Sequence, residues 1–211
     1  MAAAPQDASP FVPPRPTIPK LRRAAAGCTA CELHRLGTRT VFGEGPARAR
    51  VMMVGEQPGD REDREGHPFV GPAGRLLDRA LEDAGIARED VYLTNAVKHF
   101  RWEARGKRRI HRKPGTVHLA ACRPWLDAEL AVVRPEIVVC LGATAALAII
   151  GRSFRVTRQR GEILEVEGID PPVTATVHPS SVLRAPDEAS REAELTALVR
   201  DLAAVRRVVG G

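Results

Sequence analysis

A chain of 211 residues with a formal net charge of +6 and a pI near 9.7 is long enough for one well-buried domain and too short for two large ones. Hydrophobic content of 44% against 27% charged residues excludes a disordered or fibrous chain. No apolar run reaches membrane-spanning length, and the N-terminus lacks the charged-then-apolar plan of a signal peptide, so the expected location is the cytoplasm.

Residues 1–20 hold six of the 17 prolines and no apolar period, which reads as a flexible tail, disordered or loosely draped, ahead of a single domain over residues 21–209. A short helix near residues 21–26 runs into Cys28-Thr29-Ala30-Cys31. No strand precedes this Cys-x-x-Cys, as a thioredoxin-like motif requires, so a cluster or zinc is expected there. Residues 50–54 form the first strand, a short β-branched apolar run closed by Gly55, Pro58 and Gly59. A charged loop over residues 60–65 leads to His67-Pro68-Phe69-Val70-Gly71, and helical spacing takes over through residues 73–84.

A second strand covers residues 91–97, after which residues 98–115 form a basic loop. Helical spacing over residues 116–133 is interrupted by Pro124, which predicts a break or kink. Strand 136–141, helix 145–150, strands 161–167 and 173–177, and a final amphipathic helix 187–208 complete the chain. Strands alternating with helices predict one α/β domain with a mostly parallel sheet.

In such sheets ligands bind beyond the carboxyl ends of the strands. Glu56-Gln57, Asn95 and His178 all fall there, with Phe69 returned over them as a stacking surface. Singly each has an ordinary reading: a cap for Asn95, a core aromatic for Phe69, a loop residue for His178. Jointly they surround a small planar ligand, and the Asn carboxamide, both donor and acceptor, suits a pyrimidine edge. The positive charge favours a polyanion, although free use of Arg accounts for part of it. The clusters Lys107-Arg108-Arg109, Arg112-Lys113 and Arg158-Gln159-Arg160 are the stronger signal.

The motifs Gly55-Glu56-Gln57-Pro58-Gly59, His67–Gly71, Thr94-Asn95-Ala96-Val97-Lys98 and His178-Pro179-Ser180-Ser181 resemble those of uracil-DNA glycosylases. The similarity is to the iron–sulfur branch and within it to the UdgX type, through Lys107-Arg108-Arg109-Ile110-His111. It spans roughly residues 20–205. The resemblance implies a three-layer α/β/α fold with a central four-stranded parallel sheet. It implies that Asn95 reads the uracil edge, Phe69 stacks on the ring, and His178 bonds a uracil carbonyl, with Gly55 and Arg109 beside the substrate, Arg109 holding the basic loop or the phosphate beside it, and Gln57 in the catalytic set. Lys107, Arg108, Arg158, Arg160, Ser180, Ser181 and Arg184 are the implied DNA contacts.

The resemblance also implies a 4Fe-4S cluster. Cys28, Cys31 and Cys122 fit three ligand positions, and His99 stands where a fourth cysteine is usual. Cys140 in an apolar strand is the rival fourth ligand, and zinc in a Cys₃His site is chemically possible. Taken alone, the basic loop reads as a solvated run touching phosphate. The UdgX resemblance instead implies that His111 captures the deoxyribose C1′ after uracil departs, with Glu56 orienting the imidazole, in a single turnover. The expected partner is uracil-containing DNA, single-stranded by preference, bound by a monomer. A non-cleaving uracil-binding module and a multiple-turnover glycosylase are the alternatives.

Overall fold

The computed structural model describes residues 7–210. In chain order, helices α1 (Ile18–Ala25) and α2 (Leu33–Leu36) precede strand β1 (Val51–Gly55), then α3 (Asp60–Glu65), α4 (Pro72–Asp83) and β2 (Val91–Asn95). A hairpin of β3 (Trp102–Arg105) and β4 (Arg108–His111) leads into α5 (Thr116–Val133), β5 (Ile137–Leu141), α6 (Ala143–Ile149) and α7 (Val156–Gln159). Strands β6 (Leu164–Val166) and β7 (Ile169–Thr176), then helices α8 (Pro179–Val182) and α9 (Glu188–Val209), follow.

The main sheet has the order β2-β1-β5-β7-β6. Its first four strands are parallel, as expected, and β6 adds an antiparallel fifth at the edge. Strand residues alternate between the two faces. Met52, Val54, Tyr92, Val138 and Cys140 pack into one core with α1, α5 and α6. Val51, Met53, Leu93, Val139 and Leu141 pack into the other with α4 and α9. Burial on both faces explains why these strands read as unbroken apolar runs.

Several expectations need correction. The part of the tail over residues 1–6 lies outside the described residues. From there on the chain is docked: Ala8 is buried and its N–H donates to the Ala121 carbonyl at 2.9 Å. Thr17 caps α1, which therefore starts three residues before the expected domain boundary. Residues 60–65 are a helix, not a loop. Asp60, Glu62 and Asp63 favour its N-terminus, and the Glu62 carboxylate accepts from the Gly59 N–H. Pro124 does not break α5, because Cys122, Trp125 and Leu126 bury the turns around it. Residues 98–115 are not a plain loop but hold the β3–β4 hairpin, turned at Gly106 with φ of +60°. Among the described residues no helix is long and apolar enough to cross a membrane.

Candidate active site

Four segments converge at the carboxyl ends of β1, β2, β5 and β7, around a cavity of about 510 Å³. Its walls include Glu56, Gln57, Phe69, Asn95, His111, Thr144 and His178, together with Glu62, Lys113, Ser180 and Arg184. Gly55 and Asn95 are register partners, and a side chain on Gly55 would overlap Asn95 Oδ1 and the Phe69 ring. Gly55 is thus the floor that lets those two groups approach. Phe69 has a left-handed backbone, with φ of 58°, which costs a bulky residue free energy. Two contacts hold it there. The α4 backbone at Gly74 lies against the Phe69 carbonyl, where any side chain would collide. The Glu62 carboxylate accepts from Gly59 N–H at 3.1 Å and Gly71 N–H at 2.7 Å, tying both ends of the loop.

The charges in the cavity are set by its surroundings. Burial works to raise the pKa of Glu56, but hydrogen bonds from His111 and Thr144 outweigh it and hold the carboxyl below its usual value. Glu56 Oε1 lies 3.3 Å from His111 Nε2, and Oε2 accepts from the Thr144 hydroxyl. His178 is pushed down to about 4, chiefly by burial. Its Nδ1 accepts from the Ser180 N–H at 3.1 Å, which puts the ring proton on Nε2 as a donor. The Phe69 and His178 rings lie at 24° with centroids 6.2 Å apart. One cavity therefore holds an anion, a neutral imidazole donor, a carboxamide and an aromatic face.

Two of the expected site residues have other work. The Gln57 carboxamide donates to the carbonyls of Arg101 and Arg112, both at 3.1 Å, and accepts from Arg101 N–H at 3.1 Å. All of these contacts clamp the neck of the hairpin, so the Gln57 side chain positions the hairpin while the residue also lines the cavity. Arg109 is absent from the cavity wall. It bonds Asp60 and the buried Asp63, the latter at 2.6 Å, and lies over the Phe100 and Trp102 rings. Alternation along β4 puts Arg109 and His111 on one face, so anchoring Arg109 to α3 turns His111 toward Glu56.

The basic contacts also divide. Lys107, Arg108 and Arg158 are exposed, as phosphate contacts must be. Arg160 is not free for phosphate, because it pairs with Asp201 at 2.6 Å and Glu194 at 3.1 Å. Ser180 lines the cavity, whereas the Ser181 hydroxyl donates to the His178 carbonyl at 2.7 Å. Sequence reasoning missed Glu62 and Thr144. Glu62 was visible as Glu three residues after a helix-capping glycine, and Thr144 as a hydroxyl just after the β5 carboxyl end.

Cys28 and Cys122 are buried, Cys31 is partly buried, and all are free thiols. Burial pushes Cys122 up to about 12, and the nearby Cys31 and Cys28 add to the effect. Cys31 is likewise raised by burial. Donors nonetheless point at these sulfurs, including Trp125 Nε1–H on Cys28 Sγ at 3.3 Å and backbone groups at Leu33 and Lys98. Thr40 donates its hydroxyl hydrogen to the Ala25 carbonyl and so accepts from His99 Nε2, which leaves the lone pair on His99 Nδ1. Cys140 is raised by burial alone, with no thiol neighbour. Among the described residues no group of three or more His, Cys, Asp or Glu converges as a single metal ion requires.

The sequence profile of the Uracil DNA glycosylase superfamily matches residues 42–203. The Type-4 uracil-DNA glycosylase of Thermotoga maritima is 41% identical over 158 residues, covering 74% of this chain and 78% of its own. That of Pyrobaculum aerophilum is 34% identical over 175 residues, 80% of this chain and 86% of its own. That of Archaeoglobus fulgidus is 37% identical over 170 residues, 78% and 82% respectively. Profile and relatives agree with the α/β sheet and the cavity at its carboxyl edge: the chain belongs to the uracil-DNA glycosylase superfamily.

Proposed function

We propose that this protein excises uracil from DNA and that His111 then captures the resulting deoxyribose. The observation that carries the reading is the meeting of Asn95, Phe69, His178, Glu56 and His111 in one cavity, in a chain of this superfamily. The target nucleotide must leave the base stack to enter. Asn95 then pairs with the pyrimidine edge, Phe69 covers one face, and His178 Nε2–H donates to a carbonyl oxygen. That donor favours departure, because negative charge grows on the base as the C1′–N1 bond breaks and its electron pair leaves with uracil.

Cleavage leaves an oxocarbenium-like sugar with an electrophilic C1′, and the Glu56 anion is the group that stabilises it. In an ordinary glycosylase water would add next. Here the unprotonated nitrogen of a neutral His111 supplies its lone pair, a C1′–N bond forms, and the positive charge passes to the imidazolium beside Glu56. Loss of the remaining ring proton to solvent leaves a neutral, alkylated histidine. Holding the ring 3.3 Å from Glu56 supports this route, since positioning raises effective concentration well above that of a diffusing nucleophile. Lys107, Arg108, Arg158, Ser180 and Arg184 are the proposed DNA contacts.

Cys28, Cys31, His99 and Cys122 are the proposed ligands of a 4Fe-4S cluster. Supporting this are three neighbouring free thiols with donors directed at sulfur, and a histidine whose Nδ1 lone pair is left over. A cluster several atoms wide also keeps its ligands further apart than a lone zinc would. Bound there, it supplies a covalent cross-link between the N-terminal segment, the end of β2 and α5. The purified protein tests both halves: incubation with uracil-containing oligonucleotide must release free uracil, and iron must be lost in Cys122→Ala but kept in Cys140→Ala.

A further inference from the structure

The β3–β4 hairpin pairs only with itself and lies outside the main sheet. Two strands alone are marginally stable in water, so side chains must fix where it stands. Gln57 does this at the neck, through the backbone of Arg101 and Arg112, and Arg109 does it from β4. The hairpin also meets residues 28–40, the segment that carries Cys28 and Cys31.

We infer that Trp102 and His118 are positioning residues that hang the hairpin on this segment and thereby place His111. Trp102 is the register partner of His111. Its Nε1–H donates to the Leu36 carbonyl at 2.8 Å, while its ring carries Arg109 at 5.4 Å. His118 lies in the first turn of α5, seven residues after His111 at the same end of the hairpin. Its Nδ1 accepts from Gly115 N–H at 2.8 Å, so its proton lies on Nε2, which donates to Glu32 at 2.6 Å. The Arg109 guanidinium adds a bond to the Thr38 hydroxyl at 3.0 Å. Leu36, Glu32 and Thr38 all follow Cys28 within one short segment, so the cysteine segment is the seat of the hairpin. Neither Trp102 nor His118 touches the cavity. Loss of these tethers must therefore disturb His111 and spare the Asn95 floor, which rests on β1 and β2.

The test uses Trp102→Phe, which keeps an aromatic ring under Arg109 and deletes the donor, and Glu32→Ala, at a side chain 64% exposed. Hydrogen exchange is followed by mass spectrometry in the full-length protein. Amides of residues 103–111 should exchange about ten-fold faster in either variant, the loss of one hydrogen bond, while those of β1 and β2 stay within about two-fold. Glu32→Gln, which keeps an acceptor, should restore protection. A second readout rests on the capture proposed above: the yield of DNA adduct should fall about ten-fold while uracil release stays within about two-fold. Unchanged hairpin exchange, or equal loosening of β1 and β2, overturns the inference. So does uracil release that falls in step with the adduct. Should the wild type form no adduct, capture fails and the exchange experiment still decides the positioning role.

Discussion

Lys98 and Glu129 form an ion pair at 2.5 Å with both side chains wholly buried. Lys98 Nζ also donates to the Thr94 hydroxyl at 2.6 Å and to the Asn95 carbonyl at 2.7 Å, directly beneath the proposed base-reading side chain. Glu129 further accepts from Tyr92 OH, Thr94 Oγ1 and Gly43 N–H. Lys98→Met fills much of the space yet leaves a buried carboxylate without its cation, which costs about 3–5 kcal/mol. At about 2–4 °C per kcal/mol for a domain of this size, Tm should drop by roughly 6–20 °C. The loss must depend on pH with a definite sign. Protonation removes the stranded charge, so the penalty is complete at high pH and fades in acid. Lys98→Met/Glu129→Gln keeps the acceptor oxygen, removes the stranded charge and should recover most of the loss. Thermal and urea unfolding by circular dichroism at pH 7.5 and 5 measure all of this. A single-mutant loss under about 1 kcal/mol, or one that grows in acid, refutes the reasoning.

Asn95→Ala should slow uracil release by about 10–100-fold, the loss of hydrogen bonds to a developing charge, without lowering Tm comparably; a stopped assay for free base checks this. Arg109→Met strands the buried Asp63 and should destabilise the protein by about 3 kcal/mol in urea unfolding. Because the folded pKa of His178 is lowered to about 4, stability it contributes is lost as pH drops from about 6.5 toward 4. His178→Asn should flatten the unfolding free energy across that window. Uracil release should persist as pH falls from 7 to 5, since Glu56 stays anionic and His178 neutral.

The parallel strands were legible because burial on both faces writes them as apolar runs, and the cavity followed from where those runs end. The β3–β4 hairpin was not. Glu103, Arg105, Lys107 and Arg108 carry no apolar alternation, and side-chain anchoring rather than a core holds these strands. The partners of Gln57, Arg109 and Arg160 were unreadable for a related reason, although a loop-holding role for Arg109 was expected. A guanidinium or carboxamide shows its type in the sequence, but its partners Arg101, Asp63 and Asp201 lie dozens of residues away. Residues 8–20 were misread because proline content signals poor helix formation and says nothing of docking. Three cysteines and one histidine could be named from the motifs, while their burial and the donors around them required the fold.

The most direct measurement incubates the protein with labelled single-stranded DNA containing one uracil and resolves the products on a denaturing gel while free uracil is quantified. The account predicts a denaturant-resistant, retarded band in proportion to protein, with deoxyribose mapped by peptide sequencing to His111. It predicts that His111→Ser loses the band and still releases uracil. A retarded band that survives in His111→Ser, or uracil release by the wild type with turnover and no adduct, contradicts it.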